Sequence, residues 1–162
     1  MKKKSSSSGK GKDATRKALI AGLQDDLARE YTAIIQYVIF SQVLDGAEYM
    51  NIAAQLKEHA HQELDHALLI SQQIDYMGAY PTHVPKPVKV SDENDKMLWA
   101  DLHAEDVTIR SYRERIAQAE ECGEIAMAEI IKGIVRQEQD HQIDLATALG
   151  VTASEEARKK KK

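Results

Sequence analysis

A glutamate followed three residues later by a histidine occurs three times in the chain, and two of these pairs lie on a predicted buried helical stripe, whereas the third, Glu58 and His61, does not. Glu63 and His66 form the first pair on a stripe, and Glu138 and His141 form the second. Each of these two pairs lies on a line of residues spaced alternately four and three apart, which is the spacing of the buried stripe of a packed helix. Because an unpaired carboxylate is costly inside a protein, each pair needs a buried partner. A metal ion is the simplest partner for a carboxylate and an imidazole together.

Two further helical stripes each contain a single glutamate, Glu30 in the first predicted helix and Glu105 in the third. Thirty-three residues separate Glu30 from Glu63, and the same number separate Glu105 from Glu138. The chain therefore contains two copies of a helical hairpin. Each copy has one isolated glutamate and one Glu-x-x-His pair.

The composition agrees with an all-α fold in a single domain. At 162 residues and 43% apolar, with one Phe and one Trp, the chain can build one core from aliphatic side chains. No apolar run approaches the ~18 residues of a membrane span, and the basic start is not followed by the apolar segment of a signal peptide. Cys122 is the one cysteine, which fits a reducing compartment. We therefore expect a cytoplasmic protein without a membrane partner.

Glycines, prolines and capping residues divide the chain into four predicted helices. These span about residues 13–45, 48–77, 91–122 and 124–150, with Asp13 and Ser91 as N-caps. Residues 79–91 contain all three prolines, and an extended segment of that length reaches roughly 40 Å. It can therefore cross the length of the helices. Two hairpins joined by such a crossover predict an up-down-down-up four-helix bundle over residues 13–150.

Charge is segregated along the chain, with basic tails at both ends of an acidic body. Residues 1–17 carry +6 and residues 152–162 carry +3, which leaves −13 for the remainder. We expect residues 1–12 to be a flexible Lys/Ser-rich tail and residues 151–162 a basic C-terminal tail. Lysines bind phosphate irrespective of sequence, so DNA is one predicted partner. The other interpretation is a solvated tail that keeps an acidic particle soluble.

In the predicted bundle the four stripes face one another, and the equal 33-residue intervals bring their polar groups to the same level. Four carboxylates and two imidazoles suit two Fe(II) ions, and Mn(II) fits the same donors. A glutamate from each of two helices and a Glu-x-x-His from each of the others is the pattern of di-iron and di-manganese bundles. The predicted metal ligands are Glu30, Glu63, His66, Glu105, Glu138 and His141.

Two further side chains, a tyrosine and a histidine, are candidates for a supporting role near these predicted ligands. Tyr37 lies two turns beyond Glu30 on the same stripe, where it can hydrogen-bond a glutamate, donate an electron near the metals, or do both. His59 lies one turn before Glu63, and we interpret it as a core or supporting histidine. We assign no chemical role to Cys122.

Over residues 14–149 the chain resembles the ferritin-like superfamily, and within it the bacterioferritins and the Dps-like mini-ferritins with a di-iron site inside one subunit. The resemblance implies ferroxidase activity, in which O2 or H2O2 oxidises Fe(II) and Fe(III) is stored as mineral in a hollow homo-oligomer. It also implies two iron atoms per chain. Glu30 and His66 would hold one iron and Glu105 and His141 the other, with Glu63 and Glu138 bridging both.

Two departures from the bacterioferritin pattern change what the resemblance implies. Leu64 stands where those proteins have the methionine that binds haem, so we expect no haem. The twelve residues after Gly150 have no apolar face to form the fifth helix of 24-subunit shells. The resemblance therefore favours a Dps-like particle of twelve subunits, with 24 as the alternative.

Two other functions remain open at this stage. A peroxidase resembling rubrerythrin or manganese catalase would use a similar pair of metals. A protein that coats and protects DNA in the nucleoid would instead depend on the lysine tails.

Overall fold

The computed structural model describes residues 7–160, and all regular structure in that range is helical. The elements are α1 (Ser7–Val43), a 3-10 turn (Ala47–Tyr49), α2 (Met50–Tyr76), α3 (Asn94–Cys122), α4 (Ile125–Ala148) and α5 (Glu155–Lys160). The predicted all-α class is confirmed. None of the helices described has the length and apolar character to span a membrane.

The four long helices form the predicted bundle. α1 packs against α2 and α3, and α4 packs against α2 and α3. The crossover between α2 and α3 runs beside α1 in the same direction: the Lys86 N–H donates to the Ala28 carbonyl at 3.2 Å, and the Lys89 N–H donates to Gln36 Oε1 at 3.0 Å. Because the crossover returns the chain to the end where α2 began, α3 runs parallel to α2. The up-down-down-up order is confirmed.

The apolar core consists of two clusters at different heights in the bundle. The first is built around Leu23, Ile70 and Ile131. The second is built around Phe40 and Leu98. The polar residues of the inward stripes lie between these clusters, so solvent is largely excluded from them on both sides.

The predicted helix ends agree with the structure to within a few residues, except at the start of α1. Gly78 and Gly123 follow α2 and α3 with φ of 82° and 85°, a backbone conformation that favours glycine. α1 begins at Ser7 and not near Asp13, because extending an existing helix costs far less than starting one. The predicted helix start near Asp13 is therefore wrong. The flexibility of the basic N-terminal segment stays a prediction, and residues 1–6 lie outside the described residues.

The C-terminal segment is predicted to be a basic tail without a fifth helix, and the second part of this prediction is wrong. Its residues 155–160 form α5, and Val151 and Ala153 pack against the second apolar cluster. Arg158 Nη2 donates to Asp106 Oδ1 at 2.5 Å, and Asp106 is only 4% exposed. A buried carboxylate strongly favours a cationic partner, and this long-range pair docks α5 on the bundle. Residues 161–162 lie outside the described range.

Candidate metal centre

The six residues predicted as ligands meet between the two apolar clusters. α1 supplies Glu30, α2 supplies Glu63 and His66, α3 supplies Glu105, and α4 supplies Glu138 and His141. Each side chain lies on the inward stripe of its helix, and each residue is at most 3% exposed. The structure thus brings all six together, away from solvent.

The possible ligand atoms form two overlapping groups, in each of which the atoms lie within 4.8 Å of one another. The first group contains Glu30, Glu63, His66 and Glu138, and the second contains Glu63, Glu105, Glu138 and His141. Glu63 and Glu138 belong to both groups. Two adjacent positions for cations therefore share two carboxylates.

The orientation of the shared carboxylates supports this division. Glu63 places Oε2 at 3.1 Å from His66 Nδ1 and Oε1 at 3.0 Å from His141 Nδ1. Glu138 places Oε1 at 3.2 Å from His66 Nδ1 and Oε2 at 3.2 Å from His141 Nδ1. Each shared carboxylate thus turns one oxygen to each histidine. A carboxylate that bridges two metal ions needs this arrangement.

The other nitrogen of each histidine is held by a glutamine of the facing helix. His66 Nε2 lies 2.9 Å from Gln137 Oε1, and His141 Nε2 lies 2.6 Å from Gln62 Oε1. Since the amide oxygen is an acceptor, each imidazole carries its proton on Nε2. The Nδ1 lone pair is then free to bind a metal whenever the ring is neutral.

Two buried tyrosines hold the isolated glutamates. The Tyr37 hydroxyl donates to Glu105 Oε1, and the Tyr112 hydroxyl donates to Glu30 Oε1. Burial and the neighbouring carboxylates raise the pKa of both phenols well above the usual value of 10.0. Both tyrosines are therefore neutral donors that orient the carboxylates.

The carboxylates at the centre repel one another. Burial, together with the charges of Glu63 and Glu138, raises the pKa of Glu30 well above its usual value of 4.5. Burial and the charge of Glu138, in the same way, raise the pKa of Glu105. Cations placed among these groups would relieve both the repulsion and the cost of burial.

Without metal, protonated histidines supply the positive charge. Burial alone would lower the pKa of His141, but its contacts with Glu105, Glu138 and Glu63 raise it to about 12. Burial alone would also lower the pKa of His66, but the contacts of its ring with the neighbouring glutamates raise it. Burial would raise the pKa of Glu63, yet hydrogen bonds from the two histidines lower it. Metal binding would therefore displace protons from the imidazoles.

Several buried oxygen and nitrogen atoms of the centre make no hydrogen bond of regular geometry in the described part of the chain, although the histidine Nδ1 atoms lie 3.0–3.2 Å from carboxylate oxygens. The atoms without such a bond include both carboxylate oxygens of Glu138, Glu30 Oε2 and His141 Nδ1. Buried polar atoms are rarely left unpaired. Together with the carboxylate and imidazole donors, they fit two divalent cations of intermediate hardness.

The remaining sequence candidates lie beside the two groups. The His59 ring stacks on His141 with centroids 4.0 Å apart, and His59 Nε2 lies 3.1 Å from Asp144 Oδ2. His59 is absent from both groups of possible ligand atoms. Leu64 is 49% exposed on the outer side of α2. Cys122, a free and partly buried thiol at the end of α3, lies apart from the centre.

Sequence reasoning missed Tyr112 and the two glutamines as functional residues, although a signal was present. The two copies of the hairpin are offset by 75 residues, the interval from Glu30 to Glu105. Tyr37 and Tyr112 are separated by the same interval, as are Gln62 and Gln137. A search for every polar residue repeated at this interval would have found them.

Comparisons with known proteins agree with this geometry. The family model of the ferritin-like domain matches residues 20–154. A bacterioferritin of Desulfovibrio desulfuricans is 31% identical over 133 residues, which cover 81% of this chain and 74% of that protein.

Two solved structures share the fold. A ferritin-like di-iron carboxylate protein from Bacillus anthracis has a TM-score of 0.80 at 29% identity, covering 83% of this chain and 97% of that one. A bacterioferritin from Rhodobacter capsulatus, with a metal-free dinuclear site and haem iron, has a TM-score of 0.73 at 25% identity. That match covers 80% of this chain and 82% of the other.

Proposed function

The chain belongs to the ferritin-like family of iron-storage proteins, and from that premise we propose that it is a ferroxidase. Its substrates are two Fe(II) ions and an oxidant, O2 or H2O2. The Fe(III) product passes to a mineral held inside a hollow oligomer. The two overlapping groups of buried ligand atoms carry this proposal.

The proposed ligand roles follow the contacts of the histidines. Glu30 and His66 bind one Fe(II), and Glu105 and His141 bind the other. Glu63 and Glu138 bridge the two ions, since each turns one oxygen toward each histidine. Mn(II) prefers similar donors and is the competing metal.

The neighbouring residues orient these ligands. Tyr37 and Tyr112 donate to the two terminal glutamates. Gln62 and Gln137 hold the imidazoles with Nδ1 toward the carboxylates. Tyr37, which contacts Glu105 directly, also serves as an electron donor near the metals.

The redox balance of the proposed reaction requires protons as well as iron. Two Fe(II) ions give up two electrons, which reduce H2O2 to two water molecules with uptake of two protons. If O2 is the oxidant, the same two electrons and two protons give H2O2. Storage of Fe(III) oxide then releases protons to water.

We further propose that the chain assembles into a cage of twelve subunits in the cytoplasm and binds no haem. Leu64 carries no metal-binding atom at the position where bacterioferritins have the haem methionine. Sedimentation of the purified protein tests the number of subunits. Absorbance spectra after expression with added haem test the second proposal, which predicts no haem band.

Stopped-flow absorbance after mixing Fe(II) protein with O2 or H2O2 tests the ferroxidase proposal. We expect Glu63→Ala and His66→Ala to lose the rapid oxidation phase while retaining helical content and particle size. His61→Ala is the matched control, because His61 is exposed on the same helix. An unchanged initial rate in the first two variants would reject the proposal. Turnover of H2O2 without mineral growth would support a peroxidase instead.

A further inference from the structure

A cavity of about 350 Å³ lies between α1, α3 and the crossover, and the proposed metal centre forms its inner end. The centre contributes Glu30, Glu63, Glu105 and Glu138 to the lining. Small side chains form much of the remaining wall, namely Ala33, Pro87, Ala100, Ala104 and Val107. The cavity is therefore large enough for a small molecule that must reach the metals.

The charges at the outer part of this cavity do not favour a cation. Arg29, Lys86 and Lys89 line it together with Asp25, and Asp25 is paired with both Arg29 and Lys86. Arg29 is paired with Asp26 as well, so the charges in this part of the cavity largely cancel. A small neutral molecule can therefore enter it.

Asp101 is a buried acid in the wall of the cavity that the proposed function does not use. It precedes Glu105 by one turn of α3, about 6 Å along the helix axis, and is 2% exposed. Its Oδ1 accepts a hydrogen bond from Gln36 Nε2 at 2.8 Å. Its Oδ2 is buried and has no hydrogen-bond partner among the described residues. A free, buried carboxyl oxygen is the position for a proton that can be donated.

In the metal-free protein, the surroundings of Asp101 keep this proton in place at neutral pH. Burial raises the pKa of Asp101 to about 8, and the negative charge of Glu63 adds to this against the effects of Gln36 and Lys89. The titratable groups that share the cavity come from every neighbouring element, and those nearest the centre are Tyr37, Glu63, Lys89, Glu105 and Glu138. Most of them are acidic, so they oppose ionisation of Asp101.

We propose that the cavity binds the small neutral oxidant and that Asp101 donates a proton to it during reduction. This inference rests on the proposed ferroxidase function and adds the oxidant site and its acid. When H2O2 is reduced, its O–O bond breaks and two electrons arrive from two Fe(II) ions. The O–H bond of Asp101 supplies one of the two protons. Solvent supplies the second and then reprotonates Asp101.

The deciding experiment uses the full chain loaded with Fe(II) without oxygen, then mixed with H2O2 or O2 between about pH 6 and about pH 9. Asp101→Asn keeps the shape and an acceptor for Gln36 but carries no acidic proton. We expect its rate at saturating oxidant to fall by about 100-fold and the decline of the rate at high pH to disappear. Fe(II) stoichiometry should stay the same. Asp92→Asn, an exposed acid before α3, is the matched control.

A second variant tests the oxidant site itself. Ala104→Leu narrows the cavity and keeps the carboxyl group of Asp101, so it should raise the oxidant concentration needed for half-maximal rate more than it lowers the maximal rate. The oxidant affected by both variants is the one that the cavity binds.

The outcomes separate this inference from the proposed function. If wild-type protein oxidises Fe(II) rapidly and Asp101→Asn has the same rate and pH profile, Asp101 is not the donor. If Asp101→Asn instead fails to bind Fe(II), its role is to build the metal centre, and the inference is wrong. A wild-type protein that binds Fe(II) but oxidises none would reject both proposals.

Discussion

At the scale of single residues, the centre depends on groups that orient the proposed ligands. Each histidine turns Nδ1 to the carboxylates and donates from Nε2 to a glutamine on the opposite helix. Gln62 of α2 holds the ring of His141 on α4, and Gln137 of α4 holds the ring of His66 on α2. Hydrogen bonds of this kind fix the ring orientation and raise the affinity for metal.

Replacing Gln62 or Gln137 by leucine removes the acceptor and leaves a buried N–H without a partner. We expect the affinity for Co(II), used as a redox-stable substitute, to fall by about 10- to 100-fold. Calorimetric titration of the metal-free protein measures it. Gln72→Leu, at an exposed position of α2, should bind as the wild type does. Equal affinities in all these variants would mean that the glutamines do not orient the rings.

The pKa of Asp101 also predicts how stability depends on pH. The folded protein holds this proton up to a pKa of about 8, compared with an ordinary value of 3.8. Unfolding therefore releases a proton across that range, so this group makes the free energy of unfolding decrease as pH rises from about 4 to about 8. Asp101→Asn should flatten the decrease in denaturant titrations of the metal-free protein. A slope identical to that of the wild type would show that the carboxyl is not protonated in the fold.

At the scale of helices, two interior glycines have different roles. A Cβ atom at Gly22 of α1 would lie 2.2 Å from Arg115 Cζ, whereas no atom of the described part of the chain outside the helix's own backbone lies within 4 Å of a Cβ at Gly133 of α4. Arg115 is buried, and its Nε donates to Asp26 Oδ2 at 3.0 Å. Gly22 therefore makes room for the ion pair that joins α1 to α3.

Alanine at the two glycines provides a matched test. Gly133→Ala should stabilise the protein by roughly 0.5–1 kcal/mol, because alanine is the better helix former. Gly22→Ala should instead destabilise it by about 1–3 kcal/mol, since Arg115 must move and Asp26 loses a buried hydrogen bond. Thermal and denaturant unfolding measure both changes. A stabilised Gly22→Ala variant would contradict the role assigned to Arg115.

The helices also show what the sequence could and could not reveal. The spacing of apolar residues around Glu30 and Glu105 predicted which faces of α1 and α3 are buried. This was possible because the buried face of a helix repeats locally along the sequence. The start of α1 and the docking of α5 could not be found in this way. The Arg158–Asp106 pair joins residues 52 apart, and no local pattern indicates which of many charged residues will meet.

At the scale of the molecule, repetition explains why the fold and the six central residues were predictable together. The equal intervals within the two hairpins place four glutamates at one level, and the bundle closes them into a single buried centre. The basic tails are not part of this repeated pattern. Their function depends on net charge and on the number of copies displayed by an assembly.

DNA binding by the tails stays a prediction. Gel-shift titration of the full chain should show retardation that weakens steeply with salt, and deletion of residues 1–12 should weaken it further. Charge-neutral substitution of the lysines at 159–162 tests the second tail separately. Full-length protein that fails to retard DNA at low salt would leave the tails as solubilising segments.

The most direct test of the dinuclear centre is an anaerobic titration of the metal-free protein with Fe(II), measured by calorimetry. A parallel Co(II) titration is measured by the visible d–d absorbance of the bound ion. The six proposed ligands and their two shared carboxylates predict saturation at two ions per chain, with protons released from the histidines. They also predict loss of this tight binding in Glu138→Ala. Saturation at one ion per chain, or unchanged binding without Glu138, would contradict the bridged pair of sites.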